Sequence, residues 1–313
     1  MSHHVLISCT HLQREMHRYH DRFVEREITY DCPDFSQQLV ESELLEIVDR
    51  YDGVIAGDDE FTAKVIERGK KLRVIAKWGI GMDGIAIDAA RERGIEVCNT
   101  PDLLSEEVAD VAIGYAVMLA RELHKIDQAV RAGEWYKPRG ISLGGKAIGL
   151  IGAGGIGRAV LRRAHTMGME LLASDPAPLP DEFVQQTGVE QVALDNMLER
   201  ADFIVLTCAL TPHNRHMLST EQFSHVKSGS YLINVARGPL IDEAALIEAL
   251  NENRFTGAAL DVFEEEPLAA DHPLRSFDNC IFGSHNSSNT IDAVLRVNEA
   301  AIANLFKGLG VNP

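Results

Sequence analysis

The sequence lacks any pair of cysteines at C-x-x-C spacing: Cys9, Cys32, Cys98, Cys208 and Cys280 lie scattered along 313 residues. No disulfide framework can be read from them, and no metal site is expected. A reducing, cytoplasmic compartment fits this usage. Basic residues are also scarce. Lys and Arg together number 30 against 47 Asp and Glu, a formal charge of −17. Nucleic acid and anionic membrane surfaces both need a basic face, so neither is expected as a partner. A small anion remains allowed, because it responds to a local cluster and not to net charge. There is no long uncharged apolar run, and Arg14 and several histidines come too early for a signal peptide, so neither a membrane span nor a leader is expected. Internal repeats and low-complexity tracts are missing too. What remains is ordinary globular composition, 45% hydrophobic and 25% charged, at a length that suits two domains.

The most informative stretch is Lys146 to Gly157, KAIGLIGAGGIG. It begins as a proline-free apolar run, as a buried parallel strand does. It then reads Gly152-x-Gly154-x-x-Gly157, and residues 158–164 read as a helix ending near Gly168. The first glycine allows a tight turn, the second lets backbone approach a pyrophosphate, and the third lets helix pack on strand. The helix N-terminus offers unpaired N–H groups and a partial positive charge to phosphates. A second apolar strand, Glu170 to Ser174, ends in Asp175, about 20 residues beyond the glycines, where a dinucleotide fold places its ribose-binding acid. Asp175 favours NAD over NADP, since a carboxylate accepts from a free ribose diol and repels a 2′-phosphate; the following Pro176-Ala177-Pro178 is neutral.

Around this centre the chain alternates strand and helix patterns, which implies parallel sheets. In the first ~100 residues, strands are expected at 4–9, Val24–Tyr30, 53–57 and 72–76, with a further strand and turn over 94–101 and helices at 11–23, 36–50 and 61–69. Lys77-Trp78-Gly79-Ile80-Gly81-Met82-Asp83-Gly84 is a glycine-rich loop at the end of a strand, where ligands of open α/β sheets gather, although a plain turn fits it as well. After Asp175, strands are expected at 203–208, 230–235, 257–262 and 280–283. Helices are expected at 105–123, 192–200, 242–252 (N-capped by Asp242) and 289–307.

Arg237, Glu266 and His285 each lie just past the end of an expected buried strand. Singly they have bland readings: a turn arginine, one acid of the solvated Glu264-Glu265-Glu266 run, a structural histidine. Together they form a working set. Hydride transfer to a ketone needs a proton donor near neutral pH, a role for histidine. A carboxylate beside it stabilises imidazolium, and an arginine holds a substrate carboxylate in a forked pair.

With these residues in view, the sequence resembles the D-isomer-specific 2-hydroxyacid dehydrogenase family along essentially its whole length. The likeness rests on Gly152–Gly157 with Asp175, Asn234-Val235-Ala236-Arg237-Gly238, Asp261-Val262-Phe263-x-x-Glu266-Pro267, Gly283-Ser284-His285, Asn99-Thr100-Pro101 and Gly79-x-Gly81-x-Asp83. The resemblance implies His285 as general acid/base, Glu266 as its partner and Arg237 on the 2-keto acid. It implies that amides at Gly79, Ile80 and Gly81 take the substrate carboxylate. It places Gly155 and Ile156 at the pyrophosphate, Thr207 and Ala236 in the NAD cleft, Asp261 near the carboxamide, and Thr100 against the cofactor from the other domain. The implied fold is α/β. A Rossmann-type doubly wound parallel sheet, residues 102–288, is inserted in a smaller flavodoxin-like substrate domain made of residues 1–101 and 289–313. A homodimer is implied as well.

Departures from the family pattern bear on the substrate. The run after His285, Asn286-Ser287-Ser288-Asn289-Thr290, is more polar than usual, and Asp83-Gly84-Ile85-Ala86 lacks the usual Asn and second Asp. Lys77 stands where phosphoglycerate dehydrogenases carry a substrate-contacting arginine. It is read either as a binder of a second anionic group or as a solvated lysine. At this length no regulatory domain is expected. The leading expectation is a small anionic 2-hydroxy/2-keto acid as substrate, polar or phosphorylated, such as 3-phosphoglycerate or glycerate/hydroxypyruvate. The alternatives are an NAD(H)-sensing corepressor of the same fold, or a formate or phosphite dehydrogenase.

Overall fold

The structure is a computed structural model and describes residues 2–35 and 37–312. The chain divides into two compact units, residues 1–104 with 289–313, and residues 105–288.

The smaller unit is built on five parallel strands, β1 (His3–Ile7), β2 (Ile28–Asp31), β3 (Gly53–Ala56), β4 (Val74–Lys77) and β5 (Glu96–Cys98), in the order β2-β1-β3-β4-β5. That is the flavodoxin-like order. Alternation along the strands sends Val5, Ile7, Ile55, Val74 and Ala76 to one face, and Leu6, Val54, Ala56 and Ile75 to the other. The first face is covered by α1 (Thr10–Val24) and the closing helix α12 (Ile291–Leu309). The second is covered by α2 (Glu41–Ile47), α3 (Ala63–Arg68) and α4 (Ile87–Glu92). With both faces covered, the strands read as unbroken apolar runs.

Two local expectations differ from the structure. The strand expected at Val24–Tyr30 starts only at Ile28. Val24 ends α1 and is exposed, because the buried stripe of that helix runs through Leu12, Met16, Tyr19 and Phe23. Glu27, at φ 56°, then turns the chain. The helix expected at 36–50 is shorter, α2 followed by a 3-10 turn at Val48–Arg50, and its first residue, Ser36, lies outside the described residues. The Leu39 and Val40 amides donate to the Asp59 and Glu43 carboxylates instead of entering the helix.

The larger unit carries seven parallel strands, β6 (Ala147–Ile151), β7 (Glu170–Ser174), β8 (Glu190–Gln191), β9 (Phe203–Leu206), β10 (Ser230–Asn234), β11 (Phe255–Leu260) and β12 (Cys280–Phe282), in the order β12-β11-β10-β9-β6-β7-β8. The order reverses between β6 and β9. At such a switch point the two connections leave in opposite directions and open a crevice beyond the strand ends. The helices are α5 (Ser105–Arg121), α6 (Leu123–Arg131), α7 (Gly155–Thr166), α8 (Asp181–Thr187), α9 (Leu194–Arg200), α10 (Thr220–His225) and α11 (Glu243–Asn251). α5 and α7 pack together through an apolar seam, tied at its edge by Arg163 to Glu106 and Asp110. α6, α8 and α10 were not expected. α8 and α10 are too short to show a period, and α6 has no buried residue to mark a core face. Among the described residues no helix is long and apolar enough to cross a membrane.

Candidate active site

The parallel order determines where the polar residues go. In register, Asn234 of β10 pairs with Leu260 of β11, and Leu260 with Phe282 of β12. The chain leaves all three strands at one edge, so Arg237, Asp261–Glu266 and His285 emerge side by side although up to 48 positions apart in sequence. Each is then aimed by local bonds. The Asn234 side chain accepts from the Ala236 amide (3.0 Å) and donates to the Arg237 carbonyl (2.9 Å), an Asx-type turn that holds Arg237. His285 stands at φ 55°, and its amide donates to the Asp261 carbonyl at 2.7 Å. The buried Asp261 carboxylate accepts from the Asn286 and Ser287 amides, at 3.3 and 3.0 Å, and from the Tyr115 hydroxyl at 3.4 Å. Asp261 therefore braces the histidine turn. Burial, then the Asp261 charge, raises the Tyr115 phenol, which keeps it a donor.

His285 Nδ1 lies 2.8 Å from Glu266 Oε2, and Glu266 Oε1 accepts from the Phe263 amide at 3.0 Å. An ionised carboxylate only accepts, so Nδ1 carries a hydrogen and the exchangeable proton belongs to Nε2. Both side chains are about four-fifths buried, at 20% and 19% exposure, so the pair is poorly screened.

The glycine turn fits a dinucleotide. Gly152 has φ +92°, and a Cβ there would stand 2.6 Å from the Cys208 Cα; a Cβ on Gly157 would strike the Gly152 carbonyl oxygen. Gly154 faces open space. The first and third glycines thus serve packing, and the second leaves the approach to the α7 N-terminus clear. No side chain caps that terminus, so its amides, including those of Gly155 and Ile156, suit an anion. Asp175 follows β7, its Oδ2 accepting from the Ala153 amide (2.7 Å) and its Oδ1 from the Ala177 amide (2.8 Å). That fixes a negative charge beside the turn with lone pairs to spare for a ribose diol. The Thr207 hydroxyl donates to the Gly152 carbonyl at 2.6 Å and braces the same turn. Ala236 is buried beyond β10.

In the smaller unit, Thr100 is buried. Its hydroxyl accepts from the Gly79 amide at 3.0 Å, and its amide donates to the Gly79 carbonyl at 3.0 Å. The Gly79 amide, expected to take a substrate carboxylate, is therefore already spent. Among the described residues Ile80 and Gly81 keep the loop's open amides. Lys77 is buried, with Nζ 2.9 Å from Asp58 Oδ1 and 3.1 Å from the Trp78 carbonyl. That removes the solvated reading of this lysine. Asn234, Tyr115 and Ser287 had no role in the sequence reading. Asn234 could have been found as an Asx residue closing a strand; nothing in the sequence marks Tyr115, which lies 146 positions from Asp261.

Residues 113–287 match the family described as D-isomer specific 2-hydroxyacid dehydrogenase, NAD binding domain. The chain belongs to this family. Among its relatives is the D-3-phosphoglycerate dehydrogenase of Methanocaldococcus jannaschii, 42% identical over 82% of this chain but only 49% of the relative, so the chain spans about half that protein's length. The hydroxypyruvate reductase of Thermotoga maritima is 37% identical over 88% of this chain and 90% of its own. The TT0316 protein of Thermus thermophilus superposes with a TM-score of 0.84 at 34% identity, covering 99% of this chain and 98% of the other. As a member of the family, the dehydrogenase is an oxidoreductase with NAD as its cofactor, on a Rossmann-type α/β fold.

Proposed function

We propose that this dehydrogenase interconverts a D-2-hydroxy acid and its 2-keto acid, with His285 as the proton donor and acceptor. The observation that supports the reading most directly is the His285–Glu266 contact at 2.8 Å. NADH, when bound, supplies the hydride for reduction. The chain's own part is the proton. Imidazolium at His285 gives its Nε2 proton to the substrate oxygen as negative charge develops there, and Glu266 keeps that imidazolium charged until it is used. In oxidation the neutral imidazole takes the hydroxyl proton. The Arg237 guanidinium holds the substrate carboxylate and polarises the adjacent carbonyl. Gly154, Gly155 and Ile156 take the pyrophosphate and Asp175 the ribose, with Gly152 and Gly157 closing the turn. Asp261 and Thr100 act by bracing, and the Ile80 and Gly81 amides take an anionic oxygen of the substrate.

For the substrate, the Lys77–Asp58 pair supports a neutral polar side group over a phosphate, because the lysine charge beside the Gly79 loop is already balanced. Within the polar or phosphorylated class this favours the hydroxypyruvate/glycerate couple over 3-phosphoglycerate. NADH oxidation against hydroxypyruvate, glyoxylate, pyruvate, phosphohydroxypyruvate and 3-sulfopyruvate, repeated with NADPH, tests this. Hydroxypyruvate should be preferred, with NADH well ahead of NADPH. Preference for phosphohydroxypyruvate would remove the argument from Lys77. No turnover, despite tight NADH binding, would favour a binding protein of the same fold. A homodimer in the cytoplasm completes the reading. α6 buries none of its residues, and Leu123, Val130, Trp135 and Tyr136 are exposed together along one stretch of the larger unit.

A further inference from the structure

Glu243 and Glu264 take no part in the roles above, yet they are joined in an unusual way. The Glu264 amide donates to Glu243 Oε1 at 2.7 Å, and the Glu243 amide donates to Glu264 Oε1 at 3.1 Å. Each carboxylate thus satisfies the other residue's backbone. Two histidines flank the pair: His272 Nε2 is 3.2 Å from Glu243 Oε2, and His216 Nε2 is 3.0 Å from Glu264 Oε1. The Leu274 amide donates to His272 Nδ1, so the Nε2 hydrogen of neutral His272 points at Glu243. Glu265 adds a further negative charge near Glu243.

The joined segments matter for the chemistry. Glu243 opens α11, six residues after Arg237, and Glu264 lies two residues before Glu266. Between them Gly238 is pressed so closely on the Phe263–Glu264 peptide that a Cβ would collide with it. The His216 amide donates to the Pro239 carbonyl at 2.8 Å, so His216 is fixed to the Arg237 segment by its backbone, while its ring Nε2 stands 3.0 Å from Glu264 Oε1 without a hydrogen bond and pairs with it only when protonated.

We propose that Glu243 and Glu264, with His216 and His272, form a reciprocal clasp that locks the Arg237 loop to the Glu266 loop and so positions the proton-transfer pair. These are positioning residues, and the inference rests on the proposed role of His285 and Glu266. Carboxylate acceptance of backbone amides is the operative contact, so glutamine at 264 preserves it and alanine removes it.

The test uses the whole chain with E243A, E264A, E264Q and E243A/E264A. The His285 ring titration is followed by NMR, with H285A to assign the resonance, beside kcat and KM for hydroxypyruvate and the NADH Kd. The alanine variants should lower the His285 midpoint by about one pH unit, a 10-fold change in imidazolium stability. They should cut kcat about 10-fold, with NADH Kd moved less than about 3-fold. E264Q should stay within about 3-fold of the parent, and the double variant should be no worse than the poorer single one, as expected of one coupled unit. A cooperatively folded E264A with the parental midpoint, or an E264Q as damaged as E264A, overturns the clasp. If the parent turns over no 2-keto acid, the proton-transfer reading fails on its own, and the His285 titration still decides whether the clasp positions it.

Discussion

Replacing Glu266 by glutamine tests the proton-transfer pair with the least disturbance of shape. The substituted side chain keeps an oxygen for the Phe263 amide, which donates to Glu266 at 3.0 Å in the parent. Its amide nitrogen then faces His285 Nδ1, which in the parent lies 2.8 Å from a carboxylate oxygen. A donor there can be met only if Nδ1 gives up its hydrogen, so neutral imidazole is favoured and imidazolium loses its partner. A charge-assisted hydrogen bond is worth roughly 1.5–3 kcal/mol, which lowers the His285 midpoint by about 1–2 pH units. Both reaction directions respond, each for its own reason. Reduction needs imidazolium, so kcat/KM for the 2-keto acid should begin to fall about 1–2 pH units earlier as pH rises. Oxidation needs a neutral ring with Nε2 free, and a donor at Nδ1 favours the tautomer with its hydrogen on Nε2, so the oxidation rate at high pH should fall too. Stopped-flow NADH oxidation and NAD reduction across pH 5 to 10, with saturating cofactor, read both limbs. An E266Q enzyme whose reduction limb coincides with the parent's would remove Glu266 from its proposed role.

Three further outcomes are expected. His285→Ala should cut turnover by roughly 10²–10⁴-fold while fluorescence titration shows NADH affinity almost unchanged; a parental kcat would exclude His285 as the proton donor. Asp175→Ala should raise the NAD KM roughly 10-fold or more and NADP much less, since about 1.4 kcal/mol of ribose bonding is lost only where a diol is present; equal losses would mean the carboxylate does not read the ribose. Asp59 in the smaller unit is pushed up from 3.8 to about 6 by burial, in spite of donors from Ser8, Leu39 and Gly57 and the nearby Lys77 charge. The folded state therefore holds this proton more tightly than the unfolded one. The ionised form costs about 3 kcal/mol above pH 6, and that cost disappears as pH falls toward 4. Urea unfolding of Asp59→Asn against the parent should show the variant losing ground on acidification by up to that amount; a difference independent of pH would refute the assignment.

Local chemistry made much of this protein legible from its sequence. Proline-free apolar runs declared the central strands because strands covered on both faces carry no polar alternation. The Gly152–Gly157 turn and Asp175 were readable because backbone geometry and ribose chemistry demand those residue types at that spacing. Arg237, Glu266 and His285 were legible as residues just beyond strand ends. Elements without an apolar stripe escaped: α6 has nothing to bury, and the turn of α10 is set by Ser219 and Gln222 and not by a period. Tertiary structure alone decided the rest. Which strands lie side by side determines that His285 meets Glu266, and that Tyr115, from a helix before the first strand of its unit, reaches Asp261. It also decided that Thr100 consumes the Gly79 amide and that Asp58 balances Lys77. A sequence shows which groups can donate, accept or carry charge. Whether each is already satisfied depends on neighbours brought in from distant positions, and only the folded chain supplies them.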